Sequence, residues 1–360
     1  MDGTRERGNE GTNDPSIVPS FHRSGVLVIQ TAFLGDVILT TPLLSRLAER
    51  HGPVDVMTTP AAATLLETHP AVRSVVRYDK HGSDKGWRGM RKVVSELRPR
   101  RYASVYLPHR SVRSAVLAML SGAPERVGFA DSAAAVTYTR RVPRPRQGHE
   151  VERLLTLAGS AASAPAVSLG LTASDYAAAD GWLAAHGVSP RFIALAPGSI
   201  WGTKRWPYYA ELAAGLDRPC VIVGGPDDRP LADAIRAAAP GRTVSAAGEL
   251  DLRASAALIQ RAAVLVTNDS APLHLATAVG TPIVALFGPT VPEFGFGPRG
   301  AADVTLGRDG LPCRPCSKHG PTTCPLGHHR CMREQGVETV AAALAAITSA
   351  EESGAICPRN

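Results

Sequence analysis

Short, mostly apolar runs recur along this chain, and each ends in a loop of small or polar residues that opens a helix-length segment. Val26-Leu27-Val28-Ile29 leads into Thr31-Ala32-Phe33-Leu34-Gly35. Asp36 then begins a stretch with Val37, Thr40, Leu43, Leu44, Leu47 and Ala48 at helical spacing. Strands are predicted again at Val54-Asp55-Val56-Met57, Ser74-Val75-Val76 and Ser104-Val105-Tyr106-Leu107, with helix-length stretches near 61–68 and 87–97. Short buried strands that alternate with helices imply an α/β fold: a parallel sheet covered on both faces.

Residues 140–149, Arg-Arg-Val-Pro-Arg-Pro-Arg-Gln-Gly-His, break the pattern, and 160–172 is small and loop-like. The pattern then restarts, with strands predicted at Phe192-Ile193-Ala194-Leu195, Cys220-Val221-Ile222-Val223, Val264-Leu265-Val266 and Ile283-Val284-Ala285-Leu286. Helices fill 207–216, 229–239, 252–262 and 271–279, and a last one covers about 337–350. A length of 360 residues agrees with two domains at about 150 residues each. The expected division is a disordered leader over 1–24, a first doubly wound domain over 25–170, and a second over 171–336. The second includes a Cys-rich loop at 313–331, and a closing helix covers 337–352. Ligands of such sheets bind beyond the strand carboxyl ends, so the site belongs in the cleft between the two.

Composition removes several classes. Hydrophobic residues at 44% and charged residues at 20% support an ordinary globular core. No apolar run approaches the roughly 18–20 residues that span a bilayer. Met1 to Ser24 is polar and has no apolar core of a signal peptide. The net charge of +7 is regional: residues 73–146 hold 17 Lys/Arg against 5 Asp/Glu, so the remainder is acidic. Seven Phe and seven Tyr, with no aromatic interleaving in the basic stretch, argue against a nucleic-acid stacking platform.

Four places could carry chemistry. Gly35-Asp36 is either a plain helix cap or a carboxylate general base at the cleft. Ala196-Pro197-Gly198-Ser199 followed by Lys204-Arg205-Trp206-Pro207 suits either a solvated basic loop or a diphosphate grip. Asn268-Asp269-Ser270-Ala271-Pro272-Leu273-His274 puts Asp, Ser and Pro at a helix start, where an anion or sugar hydroxyls could be held. Neither G-x-x-x-x-G-K-[ST] nor G-x-G-x-x-G is present. Cys313, Cys316, Cys324 and Cys331, spaced C-x2-C-x7-C-x6-C, read as a structural zinc site, free thiols or disulfides. Six cysteines in all, four of them clustered, point to a reducing compartment.

In this order the segments resemble the family 9 glycosyltransferases, the ADP-heptose:lipopolysaccharide heptosyltransferases. The resemblance runs over about 25–345. It rests on Ala32-Phe33-Leu34-Gly35-Asp36, Ala196-Pro197-Gly198-Ser199, Lys204-Arg205-Trp206-Pro207, Asn268 to His274 and Phe287-Gly288-Pro289-Thr290. Cys324-Pro325-Leu326-Gly327-His328-His329-Arg330-Cys331-Met332 is most similar to the heptosyltransferase II branch.

The resemblance implies a GT-B architecture with two Rossmann-like domains, and inverting, metal-independent transfer. Heptose would pass from ADP-L-glycero-D-manno-heptose to heptosyl-Kdo2-lipid A. It implies Asp36 as base, Lys204 stabilising the leaving diphosphate, and Ser199, Lys204, Asp269, Ser270, Ala271 and His274 at the donor. Gly224, Gly225 and Glu249 are a looser match at neighbouring loops. The anionic glycolipid acceptor would be met by Lys80, Lys85, Arg88, Arg91, Lys92, Arg110, Arg113 and Arg126. No cofactor is required, no nucleic-acid partner is expected, and the protein would be cytoplasmic and peripheral at the inner membrane. The alternatives are another nucleotide-sugar or acceptor, a GT-B-like nucleotide-sugar epimerase, or a non-enzymatic nucleotide-binding protein.

Overall fold

A computed structural model describes residues 25–159 and 163–352; the expected leader and Cys357 lie outside these. The first half builds a six-stranded parallel sheet from β1 (Val26–Ile29), β2 (Val54–Thr58), β3 (Val72–Arg77), β4 (Ser104–Leu107), β5 (Glu125–Phe129) and β6 (Arg140–Val142). Its helices are α1 (Leu34–His51), α2 (Pro60–Leu66), α3 (Gly86–Leu97), α4 (Val112–Leu120) and α5 (Glu150–Leu155). Strand alternation divides its core. Val26 and Val28 pack with Val37, Leu43 and Leu47 of α1, whereas Leu27 and Ile29 pack with Val93 and Leu97 of α3 and Leu117 of α4. Helices α3 and α4 therefore cover the face opposite α1 and α2.

After α6 (Ala173–Ala185), a second parallel sheet holds β7 (Ile193–Ala196), β8 (Cys220–Ile222), β9 (Thr243–Ser245), β10 (Val264–Asn268), β11 (Ile283–Phe287) and β12 (Val304–Gly307). Between and beyond these run α7 (Tyr209–Gly215), α8 (Arg229–Ala238), α9 (Leu252–Gln260), α10 (Ala271–Val279), α11 (Arg330–Arg333) and α12 (Val337–Glu352). The spatial orders are β3-β2-β1-β4-β5-β6 and β12-β11-β10-β7-β8-β9. Both halves thus carry the doubly wound order 3-2-1-4-5-6, although their sequences show no repeat. The Pro/Arg stretch at 140–149 is not wholly a break: its first three residues form the edge strand β6. Strands β5, β9 and β12 and helices α4, α5, α6 and α11 were not predicted either. Each of the edge strands β6, β9 and β12 is only three or four residues long and partly polar, so it lacks an apolar run.

Local chemistry holds the first helix together around a defect. Pro42 cannot donate to the Ile38 carbonyl, and the Thr41 hydroxyl donates to that oxygen at 2.8 Å instead. The two halves share apolar packing. Ile38 and Leu39 of α1, Leu65 of α2 and Val151 and Leu155 of α5 join one cluster with Trp182 of α6, Leu258 of α9, and Leu273 and Leu275 of α10. Polar ties reinforce it: Arg253 of α9 donates to Asp175 at 3.0 and 2.5 Å, to Gly170 O at 2.7 Å and to Thr64 O of α2 at 3.2 Å. No helix among the described residues is long and apolar enough to cross a membrane.

The guanidinium of Arg253 holds the Asp175 carboxyl down at about 2. Its contribution to stability is present above the ordinary value of 3.8 and fades as the pH falls towards 2. Arg253→Ala strands a carboxylate that is nearly out of solvent and should cost about 3 kcal/mol at neutral pH. A thermal melt within about 1 °C of the parent would contradict this.

Candidate functional site

In each sheet the strand order reverses once, at β1/β4 and at β7/β10, and the loops leaving those strands open a crevice for ligands. The β1 loop delivers Asp36 into the first turn of α1, where its Oδ2 accepts from Phe33 N at 3.2 Å. That bond and Arg144 favour the carboxylate. Burial, aided by Glu150 nearby, outweighs them and lifts the pKa from 3.8 to about 6. Glu150 is itself paired with Arg144 at 2.5 Å. Neither residue stood out in the sequence; the only hint of Arg144 is its place in the Pro/Arg stretch.

The second sheet answers with a cation. Lys204 is buried and donates to Asp269 Oδ2 at 2.6 Å and to Asp269 O at 3.1 Å. Thr290, from the loop after β11, donates to the same Oδ2 at 2.7 Å. Asn268 fixes the geometry behind them: its Nδ2 donates to Pro197 O at 2.9 Å, and its Oδ1 accepts from Trp206 N at 3.1 Å and from the Tyr209 hydroxyl at 3.3 Å. Ser199 lies in the loop so tied, its Oγ accepting from Trp201 N at 3.2 Å. Ser270 and Ala271 begin α10, and His274 lies one turn in. Burial holds the His274 imidazole at about 4, hence neutral. Ser270 Oγ and His274 Nδ1 are buried without a partner among the described residues.

The neighbouring glycines also have defined places. A Cβ on Gly198 or Gly224 would overlap the Asp228 carboxylate, which accepts from Gly225 N at 2.9 Å. The β7 and β8 loops therefore close around Asp228, which sequence reasoning missed. Glu249, after β9, accepts from Trp182 Nε1 at 2.6 Å and lies 3.9 Å from His186 Nε2.

The two sides touch. A Cβ at Gly35 would collide with the His274 ring, so only glycine lets the Asp36 loop lie against α10. A second bridge is aromatic: the His319 ring is 5.6 Å from Phe33 and stacks at 6.2 Å on Trp201. His319 belongs to the Cys-rich loop, which also meets the Lys204 loop through His329 Nε2 and Thr203 O at 2.8 Å. Cys220, Cys313, Cys316, Cys324 and Cys331 are free thiols. No three His, Cys, Asp or Glu side chains among the described residues converge to hold a metal ion.

The structure divides the eight cations expected at the acceptor. Lys80 donates to Thr31 O at 2.6 Å, Arg113 to Lys80 O at 3.3 Å, and Arg110 pairs with Asp131 at 2.8 Å, all near the carboxyl ends of β1 and β4. Lys85, Arg88, Arg91 and Lys92 stand instead on or just before α3, with Lys92 paired to Asp84 at 2.8 Å. Arg126 sits at the amino end of β5, its guanidinium spent on Thr137 O at 2.9 Å and Ala123 O at 2.7 Å.

A carboxyl that binds its proton more tightly folded than unfolded opposes folding once the pH passes its unfolded value, and fully so above its folded value. Asp36→Asn should therefore stabilise the protein by about 1–2 kcal/mol at neutral pH, and by little near pH 4. Urea melts at the two pH values measure this, and the same change in stability at both would contradict it.

Comparison with known proteins identifies the family of the chain and its fold. The model of glycosyltransferase family 9 (heptosyltransferase) matches residues 90–326. Lipopolysaccharide heptosyltransferase 2 of Escherichia coli is 29% identical over 295 residues, 75% of this chain and 84% of that protein. Lipopolysaccharide heptosyltransferase 1 of Pseudomonas aeruginosa is 30% identical over 330 residues, 85% and 89% of the two chains. Among solved structures, the glycosyl transferase family 9 protein of Veillonella parvula superposes with a TM-score of 0.81 at 24% identity, covering 91% of this chain and 98% of its own. Escherichia coli ADP-heptose lps heptosyltransferase II gives 0.75 at 24%, covering 91% and 99%. The chain, with its two facing Rossmann-like sheets in a GT-B arrangement, is a glycosyltransferase and belongs to glycosyltransferase family 9, the heptosyltransferase family.

Proposed function

We propose that this enzyme transfers heptose from ADP-L-glycero-D-manno-heptose to heptosyl-Kdo2-lipid A, in the inner core of lipopolysaccharide, with inversion at the anomeric carbon. One observation carries the reading: a carboxylate of raised pKa and a buried ammonium stand on facing switch-point loops, joined where Gly35 meets His274. The names of the similar proteins supply the substrate class.

In this reading Asp36 takes the proton of the acceptor hydroxyl while that oxygen bonds to the anomeric carbon. The bond from that carbon to the diphosphate breaks on the opposite face, and ADP leaves with the electron pair. A pKa near 6 leaves Asp36 ionised at neutral pH yet a better base than an ordinary aspartate. Lys204 has three N–H donors, and Asp269 takes two. The third is available to the charge that grows on the leaving phosphate. Ser199 and the Gly224-Gly225 loop would face the nucleotide diphosphate, with Glu249 alongside. Ser270 and Ala271 offer the free N–H groups of the first turn of α10, and the unpartnered Ser270 Oγ and His274 Nδ1 suit sugar or phosphate oxygens. Asp269 acts by holding Lys204. Lys80, Arg110 and Arg113 would meet the acceptor's carboxylates and phosphates, at the cytoplasmic face of the inner membrane. No step calls for a metal. Zinc on Cys313, Cys316, Cys324 and Cys331 would serve only as a staple, and metal content of anaerobically purified protein decides it: about one zinc per chain supports it, none retires it.

ADP release from ADP-heptose in the presence of heptosyl-Kdo2-lipid A should show kcat/KM rising with pH through an apparent pKa near 6. Asp36→Ala should lower the rate by about 10³-fold or more. Lys204→Ala should cost about 10²–10³-fold. Full activity in Asp36→Ala would remove the base, and ADP release independent of acceptor would favour an epimerase or hydrolase.

A further inference from the structure

The sequence singled out the basic stretch of the first domain, and most of it lies away from the cleft. Helix α3 turns Gly89, Val93 and Leu97 towards the sheet. Trp87, Met90, Arg91, Val94 and Arg98, on the flank beside that buried face, line a shallow groove with Leu120 of α4, Met90 and Val94 lying half-buried against the core. Trp87 is 62% exposed and Met119 beside Leu120 is 46% exposed, large values for such side chains. This face covers the side of the first sheet opposite α1 and α2, whereas it is α1, α2 and α5 that pack on the second domain. Nothing in the described chain covers it.

Its charge is one-sided. Residues 85–101 hold seven Lys/Arg and one acid, Glu96. Lys92 is paired with Asp84, and Arg100 with Asp55 and Glu96. Lys85, Arg88, Arg91 and Arg98 have no ion pair among the described residues, although elsewhere in the fold most arginines do.

We propose that the α3 face, with the end of α4, docks on an anionic lipid bilayer, with Trp87, Met119 and the outer edges of Met90 and Val94 entering the headgroup boundary and the unpaired cations reaching lipid phosphates. The chemistry favours a bilayer over a folded partner. Unpaired cations interleaved with these apolar side chains would have to be desolvated in a dry protein interface. At a membrane their stems lie along the acyl boundary while the charged heads stay in the phosphate layer. An indole ring next to arginines suits the same depth. The placement also serves the proposed reaction: α3 begins just after the loop whose Lys80 bonds Thr31 O, five residues before Asp36. Docking there would bring the acceptor side of the cleft to the membrane surface. Only this purpose, not the binding itself, rests on the glycolipid-acceptor reading.

The test is co-sedimentation of the full chain with vesicles of phosphatidylcholine, with and without about 30% phosphatidylglycerol, at ~0.15 M salt. Binding should require the anionic lipid, and Trp87→Ser and Arg98→Glu should each weaken it about tenfold while leaving the melting temperature unchanged. With acceptor embedded in vesicles both variants should raise KM about tenfold. With a deacylated, soluble acceptor fragment their kcat and KM should match the parent, so a failure of the catalytic reading shows separately as parent inactivity on that fragment. Three outcomes overturn the proposal: binding to neutral and anionic vesicles alike or to neither, parental binding by both variants, or a dimer in solution that Trp87→Ser dissolves.

Discussion

The packing of α1 against α10 sets everything else in this molecule. Ile38 and Leu39 share an apolar cluster with Leu273 and Leu275, and Gly35 lies under the His274 ring with no room for a Cβ. Each helix begins at the switch point of its own sheet, so joining the two helix starts joins the two places where a doubly wound sheet binds ligands. The cleft is therefore a meeting of two first turns held at contact distance by buried side chains.

From that contact follows a division of electrostatic labour. On one side burial works against charge, and Asp36 becomes a stronger base than its type. On the other, burial is tolerated because Lys204 is matched by Asp269, itself held by Thr290. The His274 ring lies against Gly35 and within electrostatic reach of Asp269 and Lys204, and its Nδ1, like Ser270 Oγ at the start of the same helix, is buried without a partner among the described residues. Such buried, unsatisfied atoms oppose stability and fit a site that is completed by its ligand.

Much of this was legible in the residues. The four-residue apolar runs marked the central strands because those strands are buried on both faces and must be apolar throughout. Gly35, Asp36, Ser199, Lys204 and Asp269 stood out because switch-point loops need small, capping or charged residues. What was hidden depends on tertiary contact. The edge strands β6 and β12 show no apolar run, since one side of each has no neighbour in the sheet. Glu150 and Arg144 act on Asp36 from just over 100 residues away in sequence, and Asp228 fills space that only the folded glycine loops define. The basic stretch was visible as charge. Its division between the mouth of the cleft and the outer face of α3 needed the direction in which the helix turns its side chains.

In the proposed displacement a carboxylate and an ammonium on facing loops would act on opposite faces of one anomeric carbon, and the stereochemistry of the product reports that directly. Proton NMR of the glycoside formed from ADP-heptose and a soluble acceptor fragment should show the anomeric configuration inverted relative to the donor. Retention of configuration would contradict a single displacement assisted by Asp36 and Lys204.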